Sequence, residues 1–140
     1  MAVEPSALDV LMSIHPRHAD QILSGVKTVE FRRRSPKRPV AHIVIYATSP
    51  VQRIVALARV MAIVEGSLET LWAQFGSVGG VTRSEFDEYF AGVSEGSALV
   101  LAEVRPLNEP SEPGGLVYDA PPPQSFRYLP AQPARGLAHA

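Results

Sequence analysis

Apolar residues recur along this chain with two periods, and each change of period marks a new element. Val10, Met12 and Ile14 alternate with Leu11, Ser13 and His15, which predicts a strand ending at Pro16. The spacing then shifts, and Ala19, Ile22 and Leu23 share one face of a short helix. Pro16 suits its first turn, where a missing N–H loses no intrahelical bond, and Gly25 is placed to end it in a left-handed conformation. Residues 26–33 return to period two, with Val29 and Phe31 towards the core and Thr28, Glu30 and Arg32 on the opposite face. Residues 35–39, with two prolines, read as a loop. Residues 42–48 form a further strand closed by Ser49-Pro50. Residues 53–64 are apolar on both faces, as expected of a strand buried in a barrel wall.

Two short helices follow. Ser67 is placed to cap the first, whose apolar stripe is Leu68, Leu71, Trp72 and Phe75. Thr82, with Glu85 three residues on, matches a capping box, and Phe86, Tyr89 and Phe90 make the packing face of the second. Residues 76–81 are a flexible turn between them, and residues 97–104 return to strand. Beyond Pro106 the chain is rich in proline and glycine until residues 124–129 restore an ordered pattern. The expected organisation is a flexible lead-in at 1–7, one domain at 8–129 and a flexible tail at 130–140. Adjacent strands with few helices favour an α+β fold built on a small mixed β-barrel over a doubly wound sheet.

Composition narrows the class. The 140 residues are 46% hydrophobic, enough for one core, and no apolar run is long enough to span a membrane. The N-terminus lacks a signal-peptide pattern, and the absence of cysteine removes disulfides and thiolate metal sites, so a cytoplasmic location is the default expectation. The four histidines do not make a convincing metal set, and neither metal nor cofactor is expected. The net charge of −1 conceals a basic stretch of Lys27, Arg32, Arg33, Arg34, Lys37 and Arg38, interrupted by Glu30. Such a stretch attracts phosphates; the alternative reading is a solvated basic loop.

The segment Gly25-Val26-Lys27-Thr28-Val29-Glu30-Phe31-Arg32 resembles the GxKxxExR motif of ASCH domains, members of the PUA-like superfamily. Residues 12–16, 46–50 and 123–128 resemble further parts of that family, so the likeness spans roughly residues 8–129. It implies a small PUA-like barrel with short flanking helices and a cleft between barrel and helices that carries the motif. The implied ligand is RNA or a nucleotide-type molecule, with no membrane and no identified protein partner.

Within that cleft Lys27 is expected to hold a phosphate or act as a base of lowered pKa, its alternative being a salt bridge to Glu30 or Asp20. Glu30 and Arg32 share a strand face, where Arg32 suits phosphate or a base edge and Glu30 suits orientation or general-base work. Their alternative role is a structural ion pair. Thr28, Arg33, Tyr46, Ser49, Gln124, Ser125 and Arg127 complete the candidate ligand-binding set, with Tyr46 read either as a base-stacking platform or as a core residue. A binding module is the favoured reading. A ribonuclease using Lys27 and Glu30 is the alternative. An amidohydrolase acting on N4-acetylcytidine is less favoured, because Glu30 stands where the resemblance implies a threonine nucleophile and residues 76–81 carry no acid.

Overall fold

In the computed structural model, which describes residues 7–111, 123 and 125–129, the alternating and helical patterns become a mixed sheet with three α-helices. The calls on residues 1–6, 124 and 130–140 lie outside the described residues. Strand β1 (Leu8–Ile14) leads into helix α1 (Pro16–Ser24), followed by β2 (Val29–Arg32), β3 (Val40–Ala47) and β4 (Arg53–Ser67). Helix α2 (Leu68–Phe75), a 3-10 turn (Gly76–Val78) and helix α3 (Arg83–Tyr89) interrupt the strands before β5 (Glu95–Ser111) and β6 (Phe126–Leu129).

The local signals act as their chemistry dictates. Gly25 takes φ of 88° and donates its N–H to the Ile22 carbonyl, a left-handed end that a side chain would strain. His15, immediately before Pro16, caps α1 through Nδ1, which accepts from the Arg17 N–H at 3.2 Å. Ser67 caps α2, and Thr82 with Glu85 forms the reciprocal capping box of α3. Residues 76–81 are more structured than a flexible turn, since Gly76–Val78 closes a 3-10 turn.

The sheet runs β2-β5-β4-β3-β1-β6. The β1–β3 pairing is parallel and the other neighbours are antiparallel. The expected barrel is open: β2 and β6 stand at its two ends and do not pair with each other among the described residues. Strand 2 is shorter than the pattern 26–33 suggested. Residues 26–28 leave the helix instead, the Lys27 N–H donating to the Gln21 carbonyl and the Thr28 N–H to the Val78 carbonyl. In β4, burial on both faces holds from Ile54 to Ala58 but not beyond, and Met61 is exposed.

Three core clusters result, of which two bear on the cleft. Val10, Met12, Ile14, Ile43, Ile45 and Leu99 pack with Ile22 of α1 against the sheet. Val29 and Phe31 pack instead against Leu71, Phe86 and Phe90 of the other helices. Phe86 stands at the centre of that second cluster, with ring centroids 5.0 Å from Phe31, 4.8 Å from Phe90 and 5.1 Å from Trp72. Strand β2 therefore carries its apolar face to α2 and α3 and leaves its other face to a cleft. Phe86→Ala is expected to cost about 3–5 kcal/mol in urea unfolding, from lost burial and the cavity left behind. A cost under about 1 kcal/mol would mean that α3 is not anchored through this ring.

Candidate functional site

The cleft face of β2 is built around one carboxylate. Glu30 is 7% exposed, with Oε1 3.4 Å from the Lys27 ammonium and Oε2 2.9 Å from the Arg32 guanidinium. The alternation that put Glu30 and Arg32 on one face thus brings them together, and of the two partners open to Lys27 it is Glu30 that pairs with it. Lys27 is not a flexible reaching side chain. It is 2% exposed, and its ammonium donates to the Gly79 carbonyl in the loop after α2. Burial pushes its pKa below the ordinary lysine value, while the Glu30 charge acts in the opposite direction and Arg32 and Arg17 add to the lowering.

Arg32 spans the open sheet. Its Nε donates to Glu30 at 3.0 Å, one terminal nitrogen donates to the Ser13 carbonyl at 2.9 Å, and the other to Ser125 Oγ at 3.2 Å. Ser13 lies on β1 and Ser125 just precedes β6, so the guanidinium joins the two ends of the sheet that no ladder joins. The Ser13 N–H donates in turn to the Ser125 carbonyl.

Above this face lies a cavity of about 390 Å3, within the size range of small-molecule sites. Lys27, Glu30 and Arg32 line one side, with Ile14 and Phe31 beside them. Helix α1 contributes His15, Arg17 and His18, and α3 contributes Glu85, Phe86, Glu88 and Tyr89. Arg17 clamps the two helices together through a two-pronged pair with Glu85, at 2.9 and 3.1 Å. That guanidinium, together with the Thr82 N–H, holds the Glu85 carboxyl down at about 2.

The remaining sequence candidates are placed away from the cavity lining. Thr28 is exposed, and its backbone is tied to Val78 and Leu101. Arg33 donates to the Tyr89 and Ala91 carbonyls at the end of α3 and lines a neighbouring basic hollow with Arg34 and Lys37. Tyr46 is 6% exposed and packs with Leu11, Val44 and Ile54, the core alternative of its two readings. Ser49 is exposed in the turn after β3, and Arg127 pairs opposite Leu11. Ser125 meets the site through Arg32, and Gln124 lies outside the described residues. Sequence reasoning missed His18, Arg17, Glu88 and Tyr89 as site residues. The spacing of His15 and His18 at the start of a helix was a usable signal, but nothing local said that their face meets α3.

The profile of the ASCH domain matches residues 12–111. An "ASCH domain-containing ribonuclease" from Zymomonas mobilis subsp. mobilis is 36% identical over 129 residues, covering 89% of this chain and 86% of that protein. The crystal structure of ASCH from Zymomonas mobilis superimposes with a TM-score of 0.83 at 32% identity, covering 94% of each chain. A serine-to-alanine variant of that protein superimposes with a TM-score of 0.84, again at 32% identity, covering 96% of this chain and 97% of its own.

Gly79 tests how the site is held. A Cβ there would fall 2.2 Å from the Phe31 ring, so the ring or the carbonyl that receives Lys27 must move. Gly79→Ala is expected to destabilise the fold by about 1–3 kcal/mol in urea unfolding. Gly66→Ala, with nothing within 4 Å of the new methyl, should stay within about 0.5 kcal/mol. Equal effects would mean that the close approach at Gly79 does not position the site.

Proposed function

The chain belongs to the ASCH domain family, and from that premise we propose that it binds single-stranded RNA at the cleft between β2 and the helices and cleaves it there. The observation that carries this reading is the pairing of a buried ammonium and a guanidinium on one wall of a nucleotide-sized cavity. Fixed cations in a water-poor setting stabilise charge that develops on a phosphate during transfer. The ribonuclease from Zymomonas mobilis, alike along most of both chains, supports cleavage over binding alone.

The chemistry of the wall supports phosphate over an acyl substrate. Amide hydrolysis through a covalent intermediate needs a nucleophile next to a base. Position 30 holds a carboxylate engaged by two cations, and the Thr28 hydroxyl belongs to an exposed residue away from the cavity lining. Lys27 and Arg32 serve as the electrostatic pair, and the basic residues Arg34 and Lys37 beside the cleft add attraction that is independent of sequence.

The test is an end-labelled single-stranded RNA incubated with the wild type and with Lys27→Met at two salt concentrations. The wild type should cleave it, and a 2′-deoxy substitution at the cut position should block the cut. Lys27→Met should weaken binding by roughly tenfold to a hundredfold, the loss of one charge-assisted contact, and abolish turnover in protein that melts at a lower temperature but stays folded under the assay conditions. Intact RNA alongside deacetylation of N4-acetylcytidine by the wild type would overturn the reading in favour of an amidohydrolase.

A further inference from the structure

RNA cleavage needs a base beside the cations, and the wall of the cleft does not itself supply one. Glu30 carries the charge of a general base, but each of its oxygens faces a cation, Oε1 facing Lys27 and Oε2 facing Arg32. A carboxylate holding two cations in this way is committed to the ion-pair network. Glu85 is committed to Arg17 and to the Thr82 N–H. Glu88 is an exposed residue at the end of α3 on the cavity lining, and no hydrogen bond among the described residues orients its carboxylate. Tyr89 is a phenol that stays protonated near neutral pH, as burial raises its pKa further.

His18 differs from all of these. It lines the same cavity as Lys27, Glu30 and Arg32, from α1, and is close enough to feel the charges of Lys27 and Glu30. Its Nδ1 lies 3.2 Å from Gln21 Oε1, and an amide oxygen only accepts. The tautomer that suits this contact carries its hydrogen on Nδ1 and leaves the lone pair on Nε2. Gln21 Oε1 lies near Gly80 in the loop after α2, close enough that a side chain at that position would meet it.

We propose that His18 is the general base of the reaction, a catalytic residue acting opposite the Lys27–Arg32 pair. The inference rests on the ribonuclease reading above. In the step it performs, Nε2 takes the proton of the ribose 2′-OH as that oxygen attacks the adjacent phosphorus. The P–O5′ bond breaks, and the departing 5′ oxygen takes a proton from solvent water. The products are a 2′,3′-cyclic phosphate and a free 5′-hydroxyl, and the His18 imidazolium returns its proton to solvent. Lys27 and Arg32 carry the charge that accumulates on the non-bridging oxygens.

The electrostatic setting agrees with this role. Burial lowers the His18 pKa first, the Lys27 cation lowers it further and Arg17 adds to that, while Glu30 and the Gln21 contact act the other way. Arg32 adds a further positive charge on the wall opposite, and Glu85, Glu88 and Tyr89 of α3 complete the ionisable groups around the cavity, with His15 at its α1 side. The net direction keeps the ring neutral down to a pH below the ordinary histidine value of 6.5. A neutral ring next to cations is the form that accepts a proton.

The experiment follows cleavage of the same end-labelled RNA by wild type, His18→Gln and His18→Ala as a function of pH. The wild type should lose kcat/KM on the acid side through a titration below 6.5. His18→Gln should bind RNA within a few-fold of wild type, cleave about 10²–10⁴ times more slowly and lack that acid limb. Added imidazole should restore part of the rate in His18→Ala, which a merely structural histidine would not allow. A His18→Gln protein that cleaves at the wild-type rate with the same acid limb overturns the assignment, while the ribonuclease reading stands if Lys27→Met is inactive. No rescue of His18→Ala, in a variant that melts as the wild type does, also overturns it. A wild type that leaves RNA intact overturns both.

Discussion

The burial of the Glu30 carboxylate between two cations is the constraint on which the remaining geometry depends. An isolated charge at that depth would be displaced or neutralised, because burial removes it from water without return. Lys27 and Arg32 make its burial tolerable, and each is held at its far side by backbone: Lys27 by the Gly79 carbonyl, Arg32 by the Ser13 carbonyl. The chain of contacts therefore runs from the loop after α2, through β2, to β1 and the approach to β6. Removing one partner leaves the others buried and unmatched, which is the costly way to disturb such a network.

This arrangement explains why the sheet remains open and yet holds its two ends together. Strand β2 is four residues long and pairs with β5 alone among the described residues. Its apolar side is fixed by the aromatic cluster of Phe31, Phe86 and Phe90, and its polar side by the Arg32 bridge. The cleft occupies the gap that a closing ladder would have filled. Function and fold share a side chain here: Arg32, which joins the sheet ends, is also one of the two charges that the proposed phosphate would meet.

Local chemistry made much of the fold legible in the sequence. Pro16 and Gly25 bracket α1, Thr82 and Glu85 cap α3, and the alternation of Val29 and Phe31 with Glu30 and Arg32 assigns both faces of β2. What the sequence does not carry is distance across the chain. The depth at which Lys27 is buried is not legible locally, because its acceptor, Gly79, is 52 residues away. The two readings of Tyr46 stay open in the sequence because the neighbours that make it a core residue, Leu11, Ile54 and Leu129, come from three other strands. Nothing local in the sequence marks His18 as a cavity residue, because the cavity forms only where α1 and α3 come together. The missing closure of the barrel has the same origin, since strand count is local and strand partnership is not.

The most direct test of the central claim is a double-mutant cycle in urea unfolding, combining Lys27→Met with Glu30→Gln. If the carboxylate and the ammonium depend on each other, Glu30→Gln alone should be strongly destabilising, by about 3–5 kcal/mol, because it leaves the ammonium buried without its counter-charge. Adding Lys27→Met should then recover part of that loss, with a coupling of about 1–3 kcal/mol between the two sites. Additivity of the two single effects, to within about 0.5 kcal/mol, would contradict the account and make Lys27 and Glu30 neighbours without energetic dependence.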